Sequence, residues 1–244
     1  MLPLLKKEDI RTSNQQLPTW ALDAYQPFAE TVAKKDFPCY FGIAAQKKGD
    51  LRYGFVPHDH WDGALQIIND FTKLMHTQEK AVRRGLFLFF EPENTEQDLE
   101  YYRDYFWRFL QRLHEVDDIP WPAERPRDPD HFLFDYHIGG EAYFLFGNAP
   151  AYKQRITRDL GPSLVIGLQP RSIFDGLEGD KPAGTKSRDS VRDRVEKWDE
   201  LPKHPDIGHF GDHGHREWKQ YFIGDDAKPI QGGCPFHHKE IKHT

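Results

Sequence analysis

Cysteine is nearly absent from this chain: two thiols, Cys39 and Cys234, lie almost 200 positions apart among 244 residues. A secreted fold stapled by disulfides is therefore excluded as a first reading. Long apolar runs are missing too, and none approaches the roughly 20 residues needed to cross a bilayer. The opening stretch, MLPLLKKEDIRTSN, lacks the apolar core of a signal peptide. Excess positive charge is also lacking. Lys+Arg number 33 against 39 Asp+Glu, a net charge of -6, which argues against a polybasic nucleic-acid or anionic-membrane binder. The sequence carries no phosphate loop, no Gly-x-Gly-x-x-Gly and no Gly-x-Ser-x-Gly elbow. Nucleotide kinases, Rossmann dehydrogenases and ordinary serine hydrolases are disfavoured accordingly. A cytoplasmic globular protein is expected.

What is abundant is aromatic and charged. Phe, Trp and Tyr make up 14% of the chain, and Asp, Glu, Lys and Arg 30%. Trp20, Ala24, Phe28 and Val32 recur at helical spacing and predict a helix from Pro18 to about Lys35. Phe37 to Ala45 reads as a short buried strand, and Leu51 to Val56 as its hairpin partner. Trp61, Leu65, Ile68, Phe71 and Met75 form a helical stripe with Asp59 as N-cap. Gly85 to Glu91 is the strongest strand. Thr95, with Asp98 three residues on, opens a helix whose buried face holds Leu99, Tyr102, Phe106, Leu110 and Leu113.

After a proline-rich connection through Pro120, Pro122, Pro126 and Pro129, strands are expected at His131 to His137 and Glu141 to Phe146. Gly139-Gly140 supplies hairpin chemistry between them. Ser163 to Leu168 is another apolar run, Ser187 to Leu201 a charged surface helix, and Arg216 to Phe222 a short helix. The order predicts an α+β (mixed α/β) single domain, helices packed on a mixed β-sheet. Its bounds are expected at 18–226, after an N-terminal tail (1–17) and before a His-rich tail (227–244). The apolar content falls after Gly176, which marks a C-terminal extension wrapped on the domain.

Thirteen histidines are present. His58-Asp59-His60-Trp61-Asp62 places two imidazoles and carboxylates close enough to share a zinc or iron ion. The segment resembles the His-x-His-x-Asp-His signature of metallo-β-lactamase-type hydrolases, with Gly63 in place of the last His. The other reading is a helix cap at Asp59 flanked by surface histidines. Cys39 is either a small core residue or a thiolate for iron, and Cys234-Pro235 resembles short haem-thiolate motifs. Arg155 and Arg158 stand three apart and Arg171 follows a strand. Their planar forks suit carboxylates or phosphates, although pairing with Asp159 and Asp175 is an equal alternative.

Several blocks together resemble the YqcI/YcgG family. They are Phe37-Pro-Cys-Tyr-Phe-Gly42 with Leu51-Arg-Tyr53, Gly140-Glu-Ala-Tyr-Phe144, Ala149-Pro-Ala-Tyr152 and Arg155-Ile-Thr-Arg158. Further along come Gln169-Pro-Arg171 with Phe174-Asp175, His204-Pro-Asp-Ile-Gly208, Gly211-Asp212 and Glu217-Trp-Lys-Gln-Tyr221. One departure is Tyr152, where many relatives carry His, so a ligand role for that histidine does not transfer.

The resemblance implies a haem-dependent monooxygenase. It would hydroxylate a guanidino or amino nitrogen of a small amino-acid-like substrate, using O2 and an electron donor. On that basis Cys39, or His58 with His60, is expected to hold the iron. Arg52, Arg155, Arg158 and Arg171 are expected to bind propionates or a substrate carboxylate. Glu141 and Asp135 are expected to grip a guanidinium. A zinc-dependent hydrolase using His58, His60 and Asp62, and a non-enzymatic haem binder using Cys234, are the alternatives.

Overall fold

The computed structural model describes residues 3–12, 17–58, 60–77, 84–177, 179 and 181–239. Six α-helices and five strands are seen among them: α1 (Lys7–Thr12), α2 (Ala21–Ala33), α3 (Tyr40–Lys48), β1 (Arg52–Val56), α4 (Gly63–His76), β2 (Leu86–Phe90), α5 (Leu99–Val116), β3 (Tyr136–Ile138), β4 (Glu141–Asn148), β5 (Val165–Pro170) and α6 (Pro182–Asp199). The sheet order is β1-β2-β5-β4-β3. β1 runs parallel to β2, and the other pairs are antiparallel. The mixed α+β single domain expected from the sequence is therefore the fold observed. No helix among the described residues is long and apolar enough to cross a membrane.

Alternation along the strands produces two cores. Leu86, Leu88, Phe90, Tyr143, Leu145, Ile166 and Leu168 meet α4 and α5 on one face. Tyr53, Phe55, Phe87, Phe89 and Val165 meet α2 on the other, with Tyr25 and Phe28 inserted among them. Close approach has a local requirement at Gly167, where an added Cβ would strike the Phe146 ring. Gly167→Ala is therefore expected to destabilise the protein by about 1–3 kcal/mol through overpacking. Chemical denaturation of the variant would measure this.

Four expectations are corrected. Phe37 to Ala45 is not a strand. Cys39 caps α3, its Sγ accepting the Gly42 N–H at 3.3 Å, and Gly49 ends the helix at φ 75°. Consequently β1 is not a hairpin strand. It joins β2 through α4 as a parallel crossover, and both strands are wholly buried. Asp98 is itself the N-cap of α5, accepting the Tyr101 N–H at 2.8 Å. The strand expected from His131 begins only at Tyr136, whereas the Gly139-Gly140 hairpin forms with both glycines at positive φ. The cap proposed at Asp59 lies outside the described residues.

Both ends of the described chain pack onto the domain. Leu5 bridges Tyr53, and Ile10 is fully buried. The segment after α6 runs mostly without regular structure across the β3–β4 side. β4 outlasts its partner β3, and Gly147 N–H in the remaining edge donates to Tyr221 O at 2.7 Å. This extension covers the candidate site.

Candidate functional site

Asp135 immediately precedes β3, so its side chain shares a face with His137, opposite Tyr136 and Ile138. It is completely buried, and neither carboxylate oxygen has a hydrogen-bond partner. Its neighbours are Arg171, with Nε 3.5 Å from Oδ2, and His137, with Nδ1 3.4 Å from Oδ1. Burial raises the Asp135 pKa despite these neighbours, and burial likewise lowers that of His137 despite Asp135.

Arg171 does not neutralise Asp135 alone. Its Nη2 donates to Glu217, whose second oxygen accepts the Gln220 amide at 2.8 Å and lies 3.5 Å from His215 Nε2. Burial acts against both charged groups, but the Arg171 guanidinium and His215 keep the Glu217 carboxyl below its ordinary pKa. The Arg171 guanidinium also sits 4.2 Å from the centre of the Phe210 ring, with Phe144 and Phe174 at 5.9 Å. Two buried carboxylates thus share one guanidinium. Burying an unpaired charge is expensive, and so the unmatched carboxylate marks this cluster as the candidate site.

The other expected residues lie elsewhere. Glu141, at the start of β4, pairs with His76 at 3.0 Å on the surface. Arg52 donates to the carbonyls of Gly49 and Leu51, and Arg158 to that of Gly147. Arg155 is 1% exposed and donates to the carbonyls of Pro202, Gly224 and Asp226. None of these three arginines is arranged like a propionate clamp. His58 Nδ1 stands 3.8 Å from Glu93 Oε1, His60 is exposed, and Asp62 takes a bidentate bond from Arg112. No three His, Cys, Asp or Glu side chains among the described residues form a metal-binding group.

The Cys39 thiol is engaged as a cap, and burial pushes its pKa up. Burial raises that of Cys234 to about 12. Donors of another kind emerge in the extension: His204 and His215 are buried, and each has an Nε2 without a hydrogen-bond partner. Sequence reasoning missed Glu217, His215 and Phe210 as site residues. The available signal was Glu217 itself, a carboxylate in a block that also carries Trp218, Tyr221 and Phe222.

Arg171 and Glu217 belong to two blocks far apart in sequence, which the fold brings into contact. The family match covers residues 28–237. The chain belongs to the YqcI/YcgG family. Among its relatives are YcgG and YqcI of Bacillus subtilis (strain 168), both uncharacterized proteins. YcgG is 32% identical over 238 residues, 94% of this chain and 93% of that protein. YqcI is 32% identical over 243 residues, 97% and 95% of the two. A third relative, from Streptomyces lavendulae, bears the name "Putative N(omega)-hydroxy-L-arginine synthase DcsA". It is 27% identical over 239 residues, 96% of this chain and 89% of that protein. No solved structure is significantly similar to the chain.

Proposed function

We propose that this YqcI/YcgG-family protein is a haem-dependent N-oxygenase, hydroxylating a guanidino or amino nitrogen of a small amino-acid-like substrate with O2 and an electron donor. Kinship with a relative named as an N-hydroxy-arginine synthase supports the reaction class. The observation that carries the reading is Asp135, a fully buried carboxylate with no donor on either oxygen. A substrate guanidinium would supply planar, charge-assisted N–H donors to such a group.

One buried imidazole would serve as the iron ligand of a porphyrin. An imidazole nitrogen is an ordinary haem ligand, and His215 has one within the same cluster as Arg171 and Glu217, its Nε2 facing Glu217 Oε2 at 3.5 Å without a hydrogen bond. His215 would hold the iron in preference to Cys39, whose sulfur caps α3. Haem, when bound, supplies the oxygen-activating chemistry.

The chain's own residues bind, orient and move protons. Asp135 accepts guanidinium N–H bonds and fixes the nitrogen to be modified. N-oxygenation requires a lone pair on that nitrogen, so one proton must leave the cation. Asp135 is suited to take it, because burial already favours its protonated form. Glu217, held ionised by Arg171, keeps the guanidinium of that arginine away from the substrate's role.

Haemin titration followed by turnover tests the proposal. The protein should acquire a Soret band and convert L-arginine to a product heavier by one oxygen atom. His215→Ala should lose the band, and Asp135→Asn should keep it but lose product by about 100-fold or more. Failure of wild-type protein to bind haemin would overturn the cofactor assignment, and full turnover by Asp135→Asn would overturn the substrate anchor.

A further inference from the structure

The last described stretch, 234–239, lies as a strap across the end of α5. Phe236 is its plug, 2% exposed and packed against Trp121, Phe134 and Tyr136. The backbone N–H of His237 donates to Gln111 Oε1, and Gln111 Nε2 donates to His237 O, each at 3.0 Å. Lys239 donates its N–H to His114 Nε2 at 3.1 Å and its ammonium to Asp117 O at 2.6 Å. Gly232, at φ 83°, and Gly233 precede the strap with open space around both, so the chain can hinge there.

We propose that this strap is a latch, and that it opens when the imidazoles of His114 and His238 take up protons. The bond from Lys239 N–H requires an unprotonated His114 Nε2, and a proton there sets donor against donor. The rings of His114 and His238 are 5.0 Å apart, so a charge on one opposes a charge on the other. Lys239 and Arg127 act on His114 in the same sense, as do Arg127 and His137 on His238; a bond to the Arg127 backbone favours the His238 cation but is outweighed. On the flanking elements, Asp117 accepts the Ile119 and Gly139 N–H groups, Glu115 faces Arg112, and Asp130 accepts from Trp218 Nε1. With burial the leading cause, both imidazole pKa values lie at about 4. The latch is therefore closed above pH 6.5 and loosens as pH falls towards 4. Two buried polar atoms within it lack partners, Trp121 Nε1 and His238 Nε2, and water satisfies both once the strap lifts. Trp121 also packs on the His137 ring at 4.8 Å, and His137 Nδ1 is 3.4 Å from Asp135 Oδ1. Opening thus exposes a ring that adjoins the candidate site.

Hydrogen exchange of the His237 and Lys239 amides, measured in the full chain and corrected for the intrinsic effect of pH, tests the latch. Both amides are bonded in the closed strap. They should be protected at pH 7. At pH 4.5 their protection should fall by about tenfold or more, while amides of β2 and β5 keep theirs. A double variant, His114→Gln with His238→Phe, cannot be protonated at either position, and the glutamine keeps an acceptor for Lys239. Most of the loss should disappear in it. The proposal is overturned if the two amides are unprotected at pH 7, or if their protection is the same at both pH values. It is equally overturned if their protection falls only together with that of β2 and β5, or if the double variant loses as much as wild type. Should the double variant not fold, the wild-type comparison of strap with sheet decides alone.

Discussion

Acidification from pH 6.5 to 4 is expected to cost this protein much of its stability. His114, His204 and His238 all have pKa values lowered from 6.5 to about 4, with burial the leading cause in each. The unfolded chain binds protons at these positions first, so their contribution is complete above pH 6.5. It is lost progressively as pH falls towards 4. A fully buried histidine shifted this far corresponds to about 3 kcal/mol at most. His204 is the best case because it is 0% exposed, and His114 is 5% exposed.

Three carboxyls act in the opposite sense. Burial raises Asp135, Asp159 and Asp199, so they favour the folded state less as pH rises above the ordinary carboxyl range. A single variant separates the two effects. His204→Asn retains an acceptor near Nδ1, which receives the Asp206 N–H at 3.3 Å, but it cannot take up a proton. The variant should lose less melting temperature than wild type between pH 7 and pH 4.5 in scanning calorimetry. Equal losses would mean that His204 does not drive the acid response.

Arg155→Ala is expected to be the most damaging single substitution among the candidate residues. The guanidinium donates to the carbonyls of Pro202, Gly224 and Asp226, and the backbone N–H of Arg155 donates to Asp225 at 2.7 Å. It thereby fastens two separate stretches of the extension to the end of β4. Asp199 faces it at 3.9 Å, also buried, while accepting bonds from Thr157. Truncation would strand those carbonyls and leave Asp199 facing a void. Loss of a buried charged partner of this kind costs about 3–5 kcal/mol. For a chain of this size that means a fall of roughly 10 °C in melting temperature. Arg155→Lys should recover only part, because one ammonium cannot span three carbonyls from two segments. If Arg155 instead paired a propionate, the variant would melt normally and bind haemin weakly. Thermal denaturation and haemin titration on the same preparation separate the two.

The architecture was readable where pattern and period agreed. The α5 face repeats at 3.6 residues, and Tyr102, Phe106, Leu110 and Leu113 are indeed buried. Gly139-Gly140 made its hairpin because both positions need positive φ. Phe37 to Ala45 misled because an apolar stretch of that length has no decisive period. The informative residues were Lys47, Lys48 and Gly49, which mark a helix C-terminus. β1 pairs with β2 rather than with Phe37–Ala45, because Arg52 and Gly54 give Leu51–Val56 an alternation that only looks like a half-exposed hairpin strand. Arg52 is buried only by turning its head back onto backbone carbonyls.

The site was legible in part. Asp135 and Arg171 were both named, one as an anchor and one as an anion binder, and they are neighbours in the fold. Glu217 and His215 lie about 80 residues from Asp135 in the chain, and no local periodicity connects them. Their meeting depends on a largely irregular extension, which carries no pattern of its own. Glu141 lies apart from the cluster for the converse reason: its motif places it near a strand end, and the strand turns it outwards to His76.

The central claim is oxygen insertion at a nitrogen held by Asp135. Supplying 18O2 to haemin-loaded protein with a reductant and L-arginine, then weighing the product by mass spectrometry, addresses it directly. The account predicts one labelled oxygen on the guanidino group in wild type, and none in Asp135→Asn. Unlabelled product, or substrate recovered intact from haem-loaded wild-type protein, would contradict it.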